Sequence, residues 1–276
     1  MRIWKNLVVV GVLVVLLSAV ARAEEGLPAG ADGAHDRLNN SPRHGEWVKV
    51  ETGGGDVVNA WLVYPERDDK APVVVVIHEI YGLTDWIRAV ADQLAAEGFI
   101  AIAPDLLSGK GPDGGGSDSV DNDGARRLVR ALDDEEVVTR LNGVAYYAIG
   151  LPSASDDFAV IGFCWGGRTS FAYATKQKNL SAAVVYYGTA PSKEALDYVQ
   201  APVLGLYGGE DNRVNATIEA TATEMQRLGR QYEFEIFEGA GHGFLRAQDR
   251  QNGANLKATE KAWPRTAAFL KEHLEF

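Results

Sequence analysis

The stretch AVIGFCWGG, residues 159–167, decides how this chain is read. It runs from apolar residues into a turn built around Cys164, the only cysteine of the protein, with glycines at 162, 166 and 167. An apolar run closing on Gly-x-Cys-x-Gly predicts a strand, a tight turn and a helix in immediate succession. Gly162 and Gly166 leave room for that turn to thrust the Cys164 side chain out over a sheet edge. The sulfur then sits at a helix N-terminus, whose dipole favours a thiolate. A small residue buried in a glycine-rich packing turn is the other reading, and the motif alone does not choose between them.

Working outward, residues 73–77 (VVVVI) form a continuous β-branched run, the pattern of a strand covered on both faces in a parallel sheet. Further strands are predicted at 99–103, 158–163, 182–187, 203–207 and 232–237. Helical patterns alternate with them at 84–98, 124–148, from Gly166 onward, 216–228 and 258–273. Thr84 is the expected N-cap of the first helix, with Trp86, Ile87, Val90, Leu94 and Ala95 at helical spacing behind it. Residues 47–51 and 57–64 alternate like a hairpin about the Gly53-Gly54-Gly55 turn. Parallel crossovers need helical cover, so the fold class is α/β: a mostly parallel twisted sheet with helices on both faces. Residues 110–120, around Gly114-Gly115-Gly116, read as a flexible loop. Gly109-Lys110-Gly111 lacks the upstream glycine and the Ser/Thr of a phosphate loop.

The chain of 276 residues, 46% hydrophobic and 24% charged, is long enough for one substantial core, and no internal repeat is visible. Arg2 and Lys5 precede an apolar run over residues 7–20, and Ala21-Arg22-Ala23 fits a signal-peptidase site. The expected organisation is a signal peptide at 1–23, a flexible Gly/Ala/Asp/Asn-rich leader at 24–45, and one domain at 46–276. Cleavage would expose Glu24, deliver the protein to a periplasm or the exterior, and leave no stable membrane association; an uncleaved signal anchor is the alternative. With 27 basic and 38 acidic residues the net charge is −11, and loss of Arg2, Lys5 and Arg22 would take it to −14. Nucleic acid is a poor partner for such a chain. In an oxidising compartment an unpaired cysteine is inert, cross-linked between chains, or a working thiol. Asn179-Leu180-Ser181 and Asn215-Ala216-Thr217 are glycosylation sequons only in a host that glycosylates.

A nucleophile on such an elbow needs an acid and a histidine on the same rim, later in the chain. Gly208-Gly209-Glu210-Asp211 follows the apolar strand at 203–207, and Gly241-His242-Gly243 follows the strand at 232–237. Either residue alone would more often be a solvated or loop-bracing group. Together, each past its own strand and in this order, they form a candidate Cys164, Asp211, His242 triad. Glu79, past the strand at 73–77, is either a further site carboxylate, a helix cap or the partner of an arginine. His78-Glu79 does not extend to a zinc motif, because position 82 is glycine, and no metal is assigned.

These segments resemble the dienelactone hydrolase family of cysteine-dependent α/β-hydrolases, from about Trp47 to the C-terminus. The likeness rests on IHEIYG (77–82), GFCWGG (162–167), YGGED (207–211) and GHGFLR (241–246). It implies Cys164 as nucleophile, His242 as base, Asp211 as its orienting acid, and Glu79 as a carboxylate that contacts the resting thiol and helps ionise it. Backbone N–H groups of Ile80 and Trp165 match the oxyanion positions, and Arg246 matches the arginine that grips a substrate carboxylate. A second such arginine is not fixed by spacing; Arg126 and Arg127 are both candidates. Tyr81, Tyr186, Tyr187 and Phe244 are expected on the pocket wall. The expected activity is cofactor-free hydrolysis of a small ester or lactone carrying a carboxylate. The alternatives are a broader carboxylesterase or thioesterase, a non-catalytic binding protein on the same fold, and a thiol redox sensor, for which no resolving cysteine exists.

Overall fold

A computed structural model describes residues 26–274, so the expected signal peptide at 1–23 lies outside the described residues. In chain order the elements begin with helix α1 (Ala34–Asn40), the hairpin β1 (Gly45–Gly53) and β2 (Asp56–Val63), β3 (Ala71–Ile77), α2 (Asp85–Ala96) and β4 (Ile100–Pro104). They continue with α3 (Asn122–Ala131), α4 (Asp134–Ile149), β5 (Ala154–Phe163), α5 (Trp165–Ala174), β6 (Ala182–Tyr186) and β7 (Val203–Gly208). The last are α6 (Asn212–Asn215), α7 (Ile218–Arg227), β8 (Tyr232–Phe237) and α8 (Ala254–His273).

The strands form one eight-stranded sheet in the order β1-β2-β4-β3-β5-β6-β7-β8. The first two pairings are antiparallel and the rest parallel. β3 shows why the sheet needs cover on both sides: all its residues are buried, and its side chains alternate between two cores. Val74 and Val76 pack on one face with Trp86, Ile87, Val90 and Leu94 of α2 and Trp263 and Leu270 of α8. Val73, Val75 and Ile77 pack on the other with Leu141 and Val144 of α4, Phe171 of α5 and Met225 of α7. Each such fully buried branched side chain contributes about 1.5–3 kcal/mol through removal from water.

The fold departs from the sequence expectations at three places. The helical stretch at 124–148 is two helices, because Leu132 is extended and Asp133 caps a new start by accepting from the N–H groups of Glu135 and Glu136. The loop at 110–120 is pinned by the buried Asp105 carboxylate, which accepts from Ser117 N (2.8 Å) and Ser117 Oγ (2.5 Å). The third is the leader expected to be flexible, whose residues 26–45 are instead structured and docked. Arg43 forms an ion pair at 2.7 Å with Asp92, the two side chains being only 12% and 3% exposed. Arg37 donates to Gln93 Oε1 (2.7 Å), and the Trp86 indole donates to Ala29 O (3.1 Å). Across the molecule, Ala31 N donates to Arg246 O (2.8 Å) and the Gln248 amide to Pro28 O (2.8 Å). Polar groups on α2 and on the 241–248 loop need these partners, a demand that local composition does not reveal.

Candidate active site

Cys164, Asp211, His242 and the Glu79 loop sit past the carboxyl ends of parallel strands, where α/β sheets gather their sites. At the end of β5 the chain turns directly into α5 through Cys164, whose φ of 57° and ψ of −111° are strained for a residue with a side chain. Such backbone costs about 1–3 kcal/mol and persists where the surroundings impose it. Here they do. A Cβ on Gly162 would lie 1.9 Å from Gly166 O, one on Gly166 would lie 2.3 Å from Ile77 O, and one on Gly167 would lie 2.4 Å from Tyr186 O. Only glycine permits the crossing, and the Cys164 N–H bonded to Tyr186 O at 3.0 Å locks it. Cys164 is half-buried, at the mouth of the helix.

His242 and Asp211 arrive from the two neighbouring strand ends. Asp211, 8% exposed, begins α6 after β7, and its Oδ2 lies 2.5 Å from His242 Nδ1. A carboxylate only accepts, so Nδ1 carries the proton and Nε2 is left for another partner. The His242 loop is braced where Gly241 N donates to Asn255 Oδ1 of α8 (2.9 Å). Burial alone would push the His242 pKa down; the hydrogen bonds to Asp211 and then to the Cys164 side chain, with the charges of both, outweigh it and hold the ring at about 9. The structure thus joins Asp211 to His242 and sets Cys164 close enough to the ring to act on its pKa. Tyr187, whose φ is +40°, packs its ring 5.1 Å from that of His242.

The loop after β3 supplies the opposite wall. Glu79 is 3% exposed; burial raises its carboxyl to about 7 against the lowering influence of Arg246, His242 and Arg126. Its partner is Arg246, with Nε 3.0 Å from Oε1, although the approach lacks hydrogen-bond alignment. The arginine expected to hold a substrate anion therefore rests against a protein carboxylate. Tyr81 has two guanidiniums near its ring, Arg126 at 4.9 Å and Arg246 at 5.3 Å from the centroid, and its hydroxyl accepts from Arg126 Nη2 (2.7 Å). Of the two candidates for a second arginine, Arg126 is the one that reaches Tyr81, while Arg127 is exposed on α3. Spacing did not separate them because the choice depends on which face of α3 meets Tyr81. The indole of Trp165 stacks on His78 with centroids 5.5 Å apart.

Tyr187 has no exposed surface either, although it lies against the His242 ring, and two further expected wall residues belong elsewhere. Phe244 has no exposed surface and packs among Tyr186, Tyr187 and Phe237, so it supports the His242 loop from behind. Tyr186 is equally buried and bonds Thr266 in the core (2.7 Å). Both were read as lining because aromatics beside glycines at strand ends look alike whether they face the cleft or the core.

Known proteins are similar to this chain in sequence and fold. A Yersinia pestis protein provisionally named carboxymethylenebutenolidase is 30% identical over 257 residues, spanning 86% of this chain and 93% of that protein. One from Escherichia coli K12, named in the same way, is 30% identical over 231 residues, spanning 79% and 84%. A crystal structure from Klebsiella pneumoniae, provisionally named a dienelactone hydrolase, superposes with a TM-score of 0.72 at 28% identity, covering 82% of this chain and 97% of that one. The dienelactone hydrolase family model matches residues 58–274, a span that runs from β2 through α8 and takes in every strand end described above. By that match, and with relatives whose full length it nearly covers, the chain belongs to the dienelactone hydrolase family.

Proposed function

We propose that the protein hydrolyses small esters or lactones by acyl transfer through Cys164, His242 and Asp211. One observation carries the reading: an imidazole bonded to Asp211 at 2.5 Å also lies near enough to the lone thiol, held on a strained strand-to-helix turn, for that thiol to help raise its pKa. The Cys164 thiolate attacks the acyl carbon, and the carbonyl electrons move onto oxygen. The Ile80 and Trp165 N–H groups hold that oxyanion; the Trp165 amide opens α5, where the first N–H groups lack intrahelical acceptors. His242, protonated, gives its proton to the departing alkoxide, and the C–O bond breaks to leave a thioester. Neutral His242 then takes a proton from water, whose oxygen attacks the thioester and expels the thiolate.

The cationic pair around Tyr81 favours substrates with a carboxylate, since an anion entering there meets Arg126 and Arg246. An anion engaging Arg246 would compete with Glu79 for it and leave that carboxylate a better proton acceptor beside His242. Export is proposed on the charge, apolar run and cleavage pattern of residues 1–23.

The test is a panel of short chromogenic esters and lactones, with and without a free carboxylate, on purified protein. Hydrolysis that falls on the order of 10⁴-fold in both Cys164→Ala and His242→Ala supports the triad; near wild-type turnover in either rejects it. N-terminal sequencing of material secreted by the native host should begin at Glu24.

A further inference from the structure

His78 is fully buried at the end of β3, yet the acyl-transfer steps above do not use it. Its Nδ1 lies 2.8 Å from Glu79 O. A carbonyl can only accept, so Nδ1 is the protonated nitrogen and the ring is the Nδ1–H tautomer. The same carbonyl accepts from Gly82 N at 3.1 Å, closing the turn of residues 79–82 with Gly82 at φ +74°. Both lone pairs of the Glu79 carbonyl are therefore engaged, and one donor is a buried ring that cannot swing away.

That carbonyl belongs to the peptide unit whose other end is the Ile80 N–H. The unit is planar and trans, so fixing its C=O fixes the direction of its N–H, and a hydrogen bond to the oxygen polarises the N–H further. The ring also stacks on Trp165 at 5.5 Å with planes 21° apart, so it meets both the Glu79–Ile80 peptide unit and the residue that supplies the other proposed oxyanion amide. Its Nε2 is buried without a partner. The nearby Asp105 carboxylate is occupied by Ser117 and Leu107. A fold that needed only bulk here would do better with an apolar side chain, because a buried unpaired polar atom is unfavourable.

Resting on the hydrolase reading, we infer that His78 is a positioning residue: its Nδ1–H, through the Glu79 carbonyl, aims the Ile80 N–H at the developing oxyanion. Its contribution belongs to the tetrahedral species and not to thiolate formation or substrate binding.

The experiment compares His78→Asn, His78→Gln and His78→Leu with the wild type in the full chain. Asn places an amide donor near Nδ1, Gln places it near Nε2, and Leu has none. Turnover of a 4-nitrophenyl ester and alkylation of Cys164 by iodoacetamide are measured side by side. Alkylation joins the sulfur to carbon as iodide leaves and builds no oxyanion. The expected result is kcat lowered about 10-fold or more in Gln and Leu, part of the 10²–10³ that losing an oxyanion donor outright costs. KM and the alkylation rate should stay within about 3-fold, and Asn should recover most of the loss. Should Leu fail to fold, Asn against Gln decides. Equal kcat in Asn and Gln, or alkylation falling in step with kcat, overturns the inference while leaving the hydrolase reading intact. A wild type that alkylates readily but cleaves no ester overturns both.

Discussion

The proton on His242 and the one on Glu79 have the same effect on stability, although one group is a base and the other an acid. Burial works against a charged His242, but the Asp211 and Cys164 interactions win and raise it from 6.5 to about 9. The folded state holds that proton more tightly than the unfolded chain, a stabilising contribution complete below pH 6.5 and lost as pH rises through about 9. Burial raises Glu79 from 4.5 to about 7, so its contribution is complete below pH 4.5 and lost as pH rises through about 7. Thermal melts should therefore show Tm falling as the pH is raised through this range. Glu79→Gln, which stays neutral, should remove its share, about 3 kcal/mol for a rise from 4.5 to about 7. On activity, kcat/KM should decline above about pH 9 as the general acid loses its proton. Asp211→Asn should lower kcat on the order of 10³–10⁴-fold by releasing the ring from its working tautomer. The positions of Cys164, Asp211 and His242 were legible in the sequence, because each follows a predicted strand within a few residues. The Glu79–Arg246 pair was not, because its members lie on loops that only the assembled sheet brings together.

Among the elements, the strand-to-helix crossing at β5 and α5 has the least tolerance. Gly162→Ala would drive a methyl to 1.9 Å from a backbone oxygen, and neither partner is a movable side chain. Its cost should exceed about 3 kcal/mol, read by chemical denaturation. Gly54→Ala at the hairpin tip meets nothing within 4 Å, and only its φ of +62° opposes it, so about 1 kcal/mol is expected there. The elements were legible where their pattern is local: the alternation of strands and helices, the glycine hairpin and the apolar run of β3 are all present in the structure. The break between α3 and α4 was missed because the helical pattern continues across it. Asp133 was the available signal, and Asp133→Ala should cost about 1 kcal/mol as a lost cap.

At the scale of the whole molecule, the segment at 26–45 is part of the domain. Removing one member of the buried Arg43–Asp92 pair strands the other, so Arg43→Ala should destabilise by about 3–5 kcal/mol in urea titration. Deleting residues 26–40 should also weaken turnover, because that segment bonds the main chain of Arg246. The sequence did not disclose this role: a glycine- and alanine-rich stretch becomes ordered only through partners that lie elsewhere in the chain. The Gln248 amide reaches Pro28 across 220 positions, which has a consequence for synthesis. A ribosome delivers the beginning of this polypeptide long before the loop it must grip. Until residues 241–248 emerge, the earliest segment lacks those tethers, so the last contacts to close are those that join the start of the chain to the rim of its cleft.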